Sequence, residues 1–522
     1  MRIPHSVSQV SAVSVATVNA SGTNSTSVSG AFKFIGVMPT LRGEPNTVVS
    51  VNGANYQDKL GAPLHPTKGT AAMCMRYLKE ALAASDGFVV PVVAADAKRP
   101  VLSIKAPASA GQEHVVTARS VSFDSDITTE AGELFVVYPV DGDVEDRTIA
   151  ISPVAGKAGY FKFVLKKPIV GGGYKEQLSL EVSFDPELKD EHGNSAFIAD
   201  KLGSSKVLGI KLSDSFAETP AFTSVTEVPF AGGTRGNLNA LNASDYDAAL
   251  SAAMNTIVDF NAVIPLGCVD TTVLQGLADI VTEHRVEGFF DVPANLSFAD
   301  ALTFVQGSGI ECSSAAWYHF PYETNDIFFS SSRALWGISS IAYGAKVKSV
   351  NSVGGAVAGF HISPAGEVRG AISRAEPVLI PHAGEPDFEA MVNARINKVG
   401  MNKGKLFIDD ALTATSANNY MKYQHVNSIF NAITRAYYVG ANALKHSTDG
   451  VTRRGLENLL RDLGNKFTAS GALVPPRNPD QDGTDPFTFS VQQDEFDHWT
   501  AVWSACPTGS ARRISGQPVV VA

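Results

Sequence analysis

The apolar positions of this chain change period several times, and each change marks an element. Phe32-Lys33-Phe34-Ile35-Gly36-Val37 is a short apolar run that predicts a buried strand. After a loop rich in Pro, Gly and Asn, Met73, Tyr77, Leu78 and Leu82 recur at helical spacing and predict a helix over about 70–84. Phe88 to Val93 predicts the next strand, so the chain opens as a βαβ unit. From about 98 to 219 the texture differs. Val115-Val116-Thr117-Ala118, Leu134-Phe135-Val136-Val137-Tyr138 and Tyr160-Phe161-Lys162-Phe163-Val164-Leu165 read as strands between Gly, Asp and Pro turns, and helical periodicity nearly vanishes. This segment reads as an all-β domain inserted into an α/β domain.

From Asp245 the alternation of helix and strand resumes. Ser244 and Asp247 are spaced as a capping box for a helix running to Asp259. Strands are predicted at 261–266, 288–293 and 315–321, with helices at 271–285 and 297–305 between them. Such alternation implies a mostly parallel sheet covered by helices on both faces. Past Arg374 a second α/β region follows, with a strand at 405–408, helices at 416–445 and 452–467, and a strand at 499–505.

The fold class is therefore α/β and multidomain. A core (31–97 and 220–374) carries the inserted all-β domain (98–219), and a C-terminal α/β domain (375–505) follows. The two ends read differently from the body. Residues 1–30 are rich in Ser, Thr, Val, Ala and Asn, and Arg2 is their one formally charged side chain. Two readings stand open: a flexible tail, or a strand that orders on the edge of a partner's sheet. Val7, Val10, Val13, Val15 and Val18 favour the second, because a plain tail has little use for β-branched residues. The closing stretch 506–522 ends in Val519, Val520, Val521 and Ala522, and an apolar end of this kind predicts docking against a partner.

A chain of 522 residues exceeds one ordinary core, which predicts two to four domains. The net charge of −10 argues against nucleic acid as the main ligand. Cys74, Cys268, Cys312 and Cys506 are far apart, with no metal-ligand spacing, and read as reduced thiols of a protein made in the cytoplasm. Cys506, in a surface arm, is the one that an intersubunit disulfide would use. Neither a secretory signal nor an apolar run long enough to span a bilayer is visible.

Chemistry is hard to find. Gly400-Met401-Asn402-Lys403-Gly404-Lys405 has the wrong spacing for a phosphate-binding loop and lacks the following Ser or Thr. Glu283-His284-Arg285 with Asp291 reads as the solvated end of a helix before it reads as an acid/base pair. His319, in an apolar strand, reads as a hydrogen-bonded core histidine. No catalytic, cofactor or metal residue is predicted, and an enzyme is not the expected class.

Two glycine signatures bracket the central region. The first is Ala231-Gly232-Gly233-Thr234-Arg235-Gly236. The second is Gly354-Gly355-Ala356-Val357-Ala358-Gly359-Phe360, followed by Gly366-Glu367-Val368-Arg369-Gly370 and Ala375-Glu376-Pro377. In this order, with alternating elements between them, they resemble the core of contractile tail sheath proteins, which form the outer cylinder of contractile bacteriophage tails and related injection machines. The resemblance covers 31–97, 228–377 and 395–522.

It implies a homo-oligomer, a helical stack of rings around an inner tail tube protein, meeting baseplate and tail terminator proteins. It implies assembly in the bacterial cytoplasm, a place in the virion, and contraction that drives the tube through the host envelope. It implies no cofactor, no direct nucleic acid and no membrane insertion. The arms of such proteins complete sheets in neighbouring subunits, the inserted domain lies outside, and the C-terminal domain faces the tube.

Charge adds a separate pointer. Between Arg395 and Lys466, eleven Lys and Arg stand against five Asp and Glu, a local balance of +6. A solvated pair of helices is one reading. The other is contact with an acidic tube through Lys422, Arg435, Arg453, Arg454, Arg461 and Lys466. Two further classes stay open: another self-assembling protein, such as a capsid or surface-layer subunit, and a multidomain α/β enzyme.

Overall fold

The computed structural model describes residues 32–513 apart from 110, 170–171, 215, 217–221 and 356. Val7, Val10, Val13, Val15, Val18, Val519, Val520 and Val521 lie outside the described residues.

A seven-stranded sheet organises the molecule. Its order is Ile396–Asn397, Ala315–Tyr318, Glu287–Asp291, Ala262–Ile264, Phe34–Pro39, Gly87–Val92, Val49–Val51. Every neighbouring pair is parallel except the last, an antiparallel edge. Helices Cys74–Leu82, Thr271–His284 and Phe298–Ser308 make the crossovers that parallel strands require. Alternate residues of each strand go to opposite faces. Phe34 and Phe289 enter one apolar core, with Tyr318 and Tyr343; Ile35 and Phe290 enter the other, with Val263 and Leu277.

The inserted segment forms two four-stranded antiparallel sheets. One is Leu208–Leu212, Glu133–Pro139, Lys98–Lys105, Val115–Ser122; the other is Val225–Pro229, Thr148–Pro153, Tyr160–Pro168, Tyr174–Ser183. Val225–Pro229 lies beyond 219, where the change of texture ends. Phe135, Ile149, Phe163 and Leu165 fill the space between the sheets.

Several expectations shift in detail. The capping box falls two residues earlier than predicted, on Asn242 and Asp245, and caps a 3-10 turn, Ala243–Tyr246. The α-helix after it, Asp247–Met254, stops short of Asp259. The long helix is Gln424–Asn442, not 416–445. Its expected start is lost because Asn419 caps only a 3-10 turn, Tyr420–Lys422, after which Tyr423 turns extended and bridges Leu412.

The helix Ser339–Asn351 has no counterpart in the sequence reading. Ten of its thirteen residues are buried, so it shows no amphipathic stripe. Its start is set by Asp291, whose carboxylate accepts the N–H groups of Ile338 (2.8 Å) and Ser339 (3.0 Å). An anion there meets the positive end of the helix dipole. Gly337 lets the carboxylate approach, since a Cβ on it would lie 2.3 Å from Asp291. Arg374 covers the junction. It stacks 3.9 Å over Trp336, pairs with Glu80 at 2.7 Å and donates to the Trp336 and Gly337 carbonyls.

Both glycine signatures are joints. Arg235 is buried and donates to the Thr40, Gly43 and Gly142 carbonyls at 2.9–3.0 Å, tying the first sheet strand's exit to the inserted sheets. Gly359 seals the far end of the buried helix. Its N–H bonds Val350 O at 2.8 Å, and a Cβ there would stand 2.3 Å from Ser349 O.

Candidate intersubunit surface

The order of the central sheet reverses between Phe34–Pro39 and Ala262–Ile264. Doubly wound sheets bind ligands in the crevice at such a point. Here the chain itself occupies the space. Leu266, fully buried at φ 50°, and Ile264 O lie within 2.7 Å of where a Gly36 Cβ would stand, and Gly267 packs on Tyr77 and Cys74.

Elsewhere the polar groups are structural. His284 is buried and shares a 2.8 Å hydrogen bond with Met254 O. Asp291 caps a helix, and burial lifts its carboxyl to about 6. His319 is buried edge-on to Phe298 and held down to about 4 by burial; the Leu296 backbone gives it a weak polar contact, but neither ring nitrogen completes a well-formed hydrogen bond. His65 Nε2 lies 2.8 Å from Ser332 Oγ, a pair that invites comparison with a nucleophile and base. His65 Nδ1, however, meets only the Thr67 hydroxyl (2.8 Å) and N–H, so no carboxylate among its hydrogen-bond partners orients the ring as a catalytic base requires. Among the described residues no group of three or more His, Cys, Asp or Glu could hold a metal ion, and no helix is long and apolar enough to cross a membrane.

What remains open is a hairpin. Phe487–Glu495 and His498–Ala505 pair with each other and, among the described residues, with no third strand. The sequence alternates cleanly. Phe487, Phe489 and Val491, with Trp499, Ala501 and Trp503, face the helices; Thr488, Ser490, Thr500, Val502 and Ser504 face outward. The helices Gln424–Asn442 and Asp449–Ala469 form the platform beneath. Trp503 meets Tyr437 at 4.6 Å between ring centroids, and Phe487 sits where Gly464 leaves room for it. The inner aromatics are only half-buried, and Phe496 in the turn is 93% exposed. The first strand went unread in the sequence, although its period-two alternation was there to find.

The basic residues divide. Arg435 is turned inward, where Phe260 O (2.6 Å) and Asp259 hold its guanidinium, so it leaves the exposed set. Arg453 pairs with Glu457 at 3.0 Å and Lys466 with Asp462 at 2.6 Å, both one helical turn away. Lys422 bonds Asn418 Oδ1 at 2.6 Å. Arg454 and Arg461 bond Gly450 O and Asn458 Oδ1, and among the described residues neither has a carboxylate partner. With Asn458 and Asn465 they make one exposed face of the helix Asp449–Ala469.

Residues 506–513 lie along the body. Pro507 bridges Leu473, Thr508 N–H bonds Ala472 O at 2.9 Å, and Arg512 meets Asp410 at 2.5 Å. All four cysteines are free; Cys506 is half-buried, and burial raises its thiol, which disfavours the reactive thiolate.

No family model matches the sequence, and no curated protein matches it. Solved structures do. The sheath tail protein from Listeria innocua superposes with a TM-score of 0.54 at 13% identity, over 92% of this chain and 96% of that one. The sheath tail protein from Desulfitobacterium hafniense gives 0.48 at 11% identity, over 91% and 97%. A chain of the anti-feeding prophage baseplate gives 0.47 at 9%, over 99% and 100%. The resemblance carried by the glycine signatures therefore holds at the level of the fold, and this chain is folded as a tail sheath protein.

Proposed function

We propose that this chain is the structural subunit of a contractile tail sheath. It polymerises as a helical stack of rings around an inner tail tube, between baseplate and terminator, and contracts to drive the tube through a host envelope. The observation that carries this reading is the 487–505 hairpin. The hairpin packs on two helices, yet its aromatic face is half covered and, among the described residues, neither edge is paired, which suits added strands. Residues 1–28, with Val7, Val10, Val13, Val15 and Val18, and the end carrying Val519, Val520 and Val521, have the composition of such strands. Backbone ladders joined in this way keep subunits linked while rigid bodies rotate, and energy stored at assembly needs no nucleotide site. The filled crevice of the central sheet supports a non-enzymatic role.

Negative-stain microscopy of the full chain beside one lacking 1–28 and 514–522 tests this. Hollow striated tubes that vanish on truncation are expected. A monodisperse monomer from both chains at high concentration would return the enzyme reading to the front; sheets or shells would favour a capsid or surface layer.

The exposed Arg453, Arg454 and Arg461, with Lys422 and Lys466 at the margin, are proposed to meet an acidic tube. Charge contacts exchange readily with water, which suits a surface that must let go. Reversal of all three arginines should weaken tube-templated assembly, and co-assembly at unchanged yield would remove this part of the reading.

A further inference from the structure

We propose that Arg512, clasped to Asp410, is a positioning residue that aims the carboxy-terminal arm at another copy of the chain and keeps it off its own hairpin. The proposal rests on the strand-exchange reading above. Beyond Ala505 the chain does not double back along the hairpin. Cys506 N–H bonds Pro486 O at 2.9 Å, Val474 N–H bonds Cys506 O at 3.0 Å, and Thr508 N–H bonds Ala472 O. This carries the strap past the end of the helix Asp449–Ala469. Arg512 Nε then donates to Asp410 Oδ1 at 2.5 Å. Asp410 is followed by Ala411, whose carbonyl accepts the Gln424 N–H at the start of the helix Gln424–Asn442. The hairpin extends the other way: Phe487 stands over Gly464 and Phe489 beside Arg461, so its turn points toward the start of the basic helix.

Asp410 is what makes the clasp hold. Its side chain is 2% exposed, and its second oxygen has no hydrogen-bond partner among the described residues. Lys398, the nearby cation, is engaged by Asp409 at 2.7 Å. A carboxylate that deep strongly opposes losing its one cationic partner, so the strap stays down. Past Cys506, the described strap bonds the 472–474 loop and Asp410, and none of it pairs with a hairpin edge. A strap fixed in this way favours docking on a neighbour, because the stretch that leads into the arm is already ordered before the arm binds.

The experiment compares assembly of the full chain with Arg512→Ala, Arg512→Lys and a chain ending at 513, using light scattering and microscopy, with monomer melting recorded for each. Arg512→Ala leaves Asp410 buried without its cation, so it is expected to melt earlier than the parent and to grow tubes about ten-fold more slowly. Arg512→Lys, which keeps the charge, should recover most of that rate. Parental growth by Arg512→Ala, when the chain ending at 513 makes no tubes, overturns the clasp and leaves strand exchange standing. Normal tubes from the chain ending at 513 overturn the clasp and remove the carboxy-terminal arm from the strand-exchange reading, leaving residues 1–28 to carry it. Because Arg512→Ala is expected to melt early, Asp410→Asn must reproduce the slow growth with unshifted melting, and normal growth by it overturns the proposal.

Discussion

The helix Ser339–Asn351 and the hairpin 487–505 are built on opposite terms. This chain buries ten of the helix's thirteen residues, with Asp291 at its start, Gly359 at its end and Arg374 over its entry. Within it, Lys346 is fully buried, donates to Phe360 O at 2.9 Å and lies 3.5 Å from Glu287, which in turn accepts the Ser428 hydroxyl. The hairpin has a half-covered row of aromatics against the helices and, among the described residues, two unpaired edges. A region that closes on itself sets the shape of the subunit; a region that cannot close sets where the next subunit attaches.

That contrast can be broken at several points, beginning with the largest effect. Arg76 and Asp326 form an ion pair with both side chains at 0% exposure. Arg76→Ala leaves a buried carboxylate alone and should cost about 3–5 kcal/mol in chemical denaturation, lowering the stability of the whole core.

Acid is the next lever. Burial holds His425 down to about 4, beside Lys346 and His361 and against the Thr508 backbone. The unfolded chain therefore binds a proton that the folded chain refuses between about pH 4 and 6.5, and this contribution to stability is lost as pH falls through that window. Asp291 and Glu287, raised by burial, push in the opposite direction. Replacing His425 by Gln should flatten the acid side of the stability profile by roughly 2–3 kcal/mol relative to the parent, measured as the difference between pH 6.5 and pH 4.

On the open side, Trp503→Ala removes a half-buried ring packed on Tyr437. It should loosen the hairpin by about 1–2 kcal/mol, seen as faster hydrogen exchange over 487–505 with the main melting transition unmoved. If the main transition fell with it, the hairpin would belong to the closed region and the contrast would fail. The smallest effect belongs to Arg453→Ala. Its exposed pair with Glu457 contributes about 0.3–0.5 kcal/mol, so monomer melting should barely change.

The period-two and helical patterns marked most of the central sheet and its crossovers to within a few residues, because half-buried elements write their burial into alternation. Ser339–Asn351 escaped notice for the converse reason: with only Lys348 and Asn351 exposed, a helix buried nearly all round has no apolar stripe. Arg435 shows a third limit. In sequence it belongs to the basic segment with Arg453 and Arg461, yet Asp259 and Phe260, far away in the chain, fold over it. Local charge counts cannot see a partner brought in by the fold.

By itself, the sequence determined an α/β body with an inserted β segment, ends rich in valine, and two glycine signatures bracketing the central region. Those properties rest on short-range periodicity and on backbone positions that only glycine tolerates. Tertiary structure alone decided that Arg235 ties the core to the insertion, that Leu266 fills the crevice of the sheet, that the aromatic hairpin packs on two helices, and that Arg512 reaches Asp410. Each of these depends on contacts between residues distant in the chain, and only the packed molecule brings them within hydrogen-bonding or van der Waals reach.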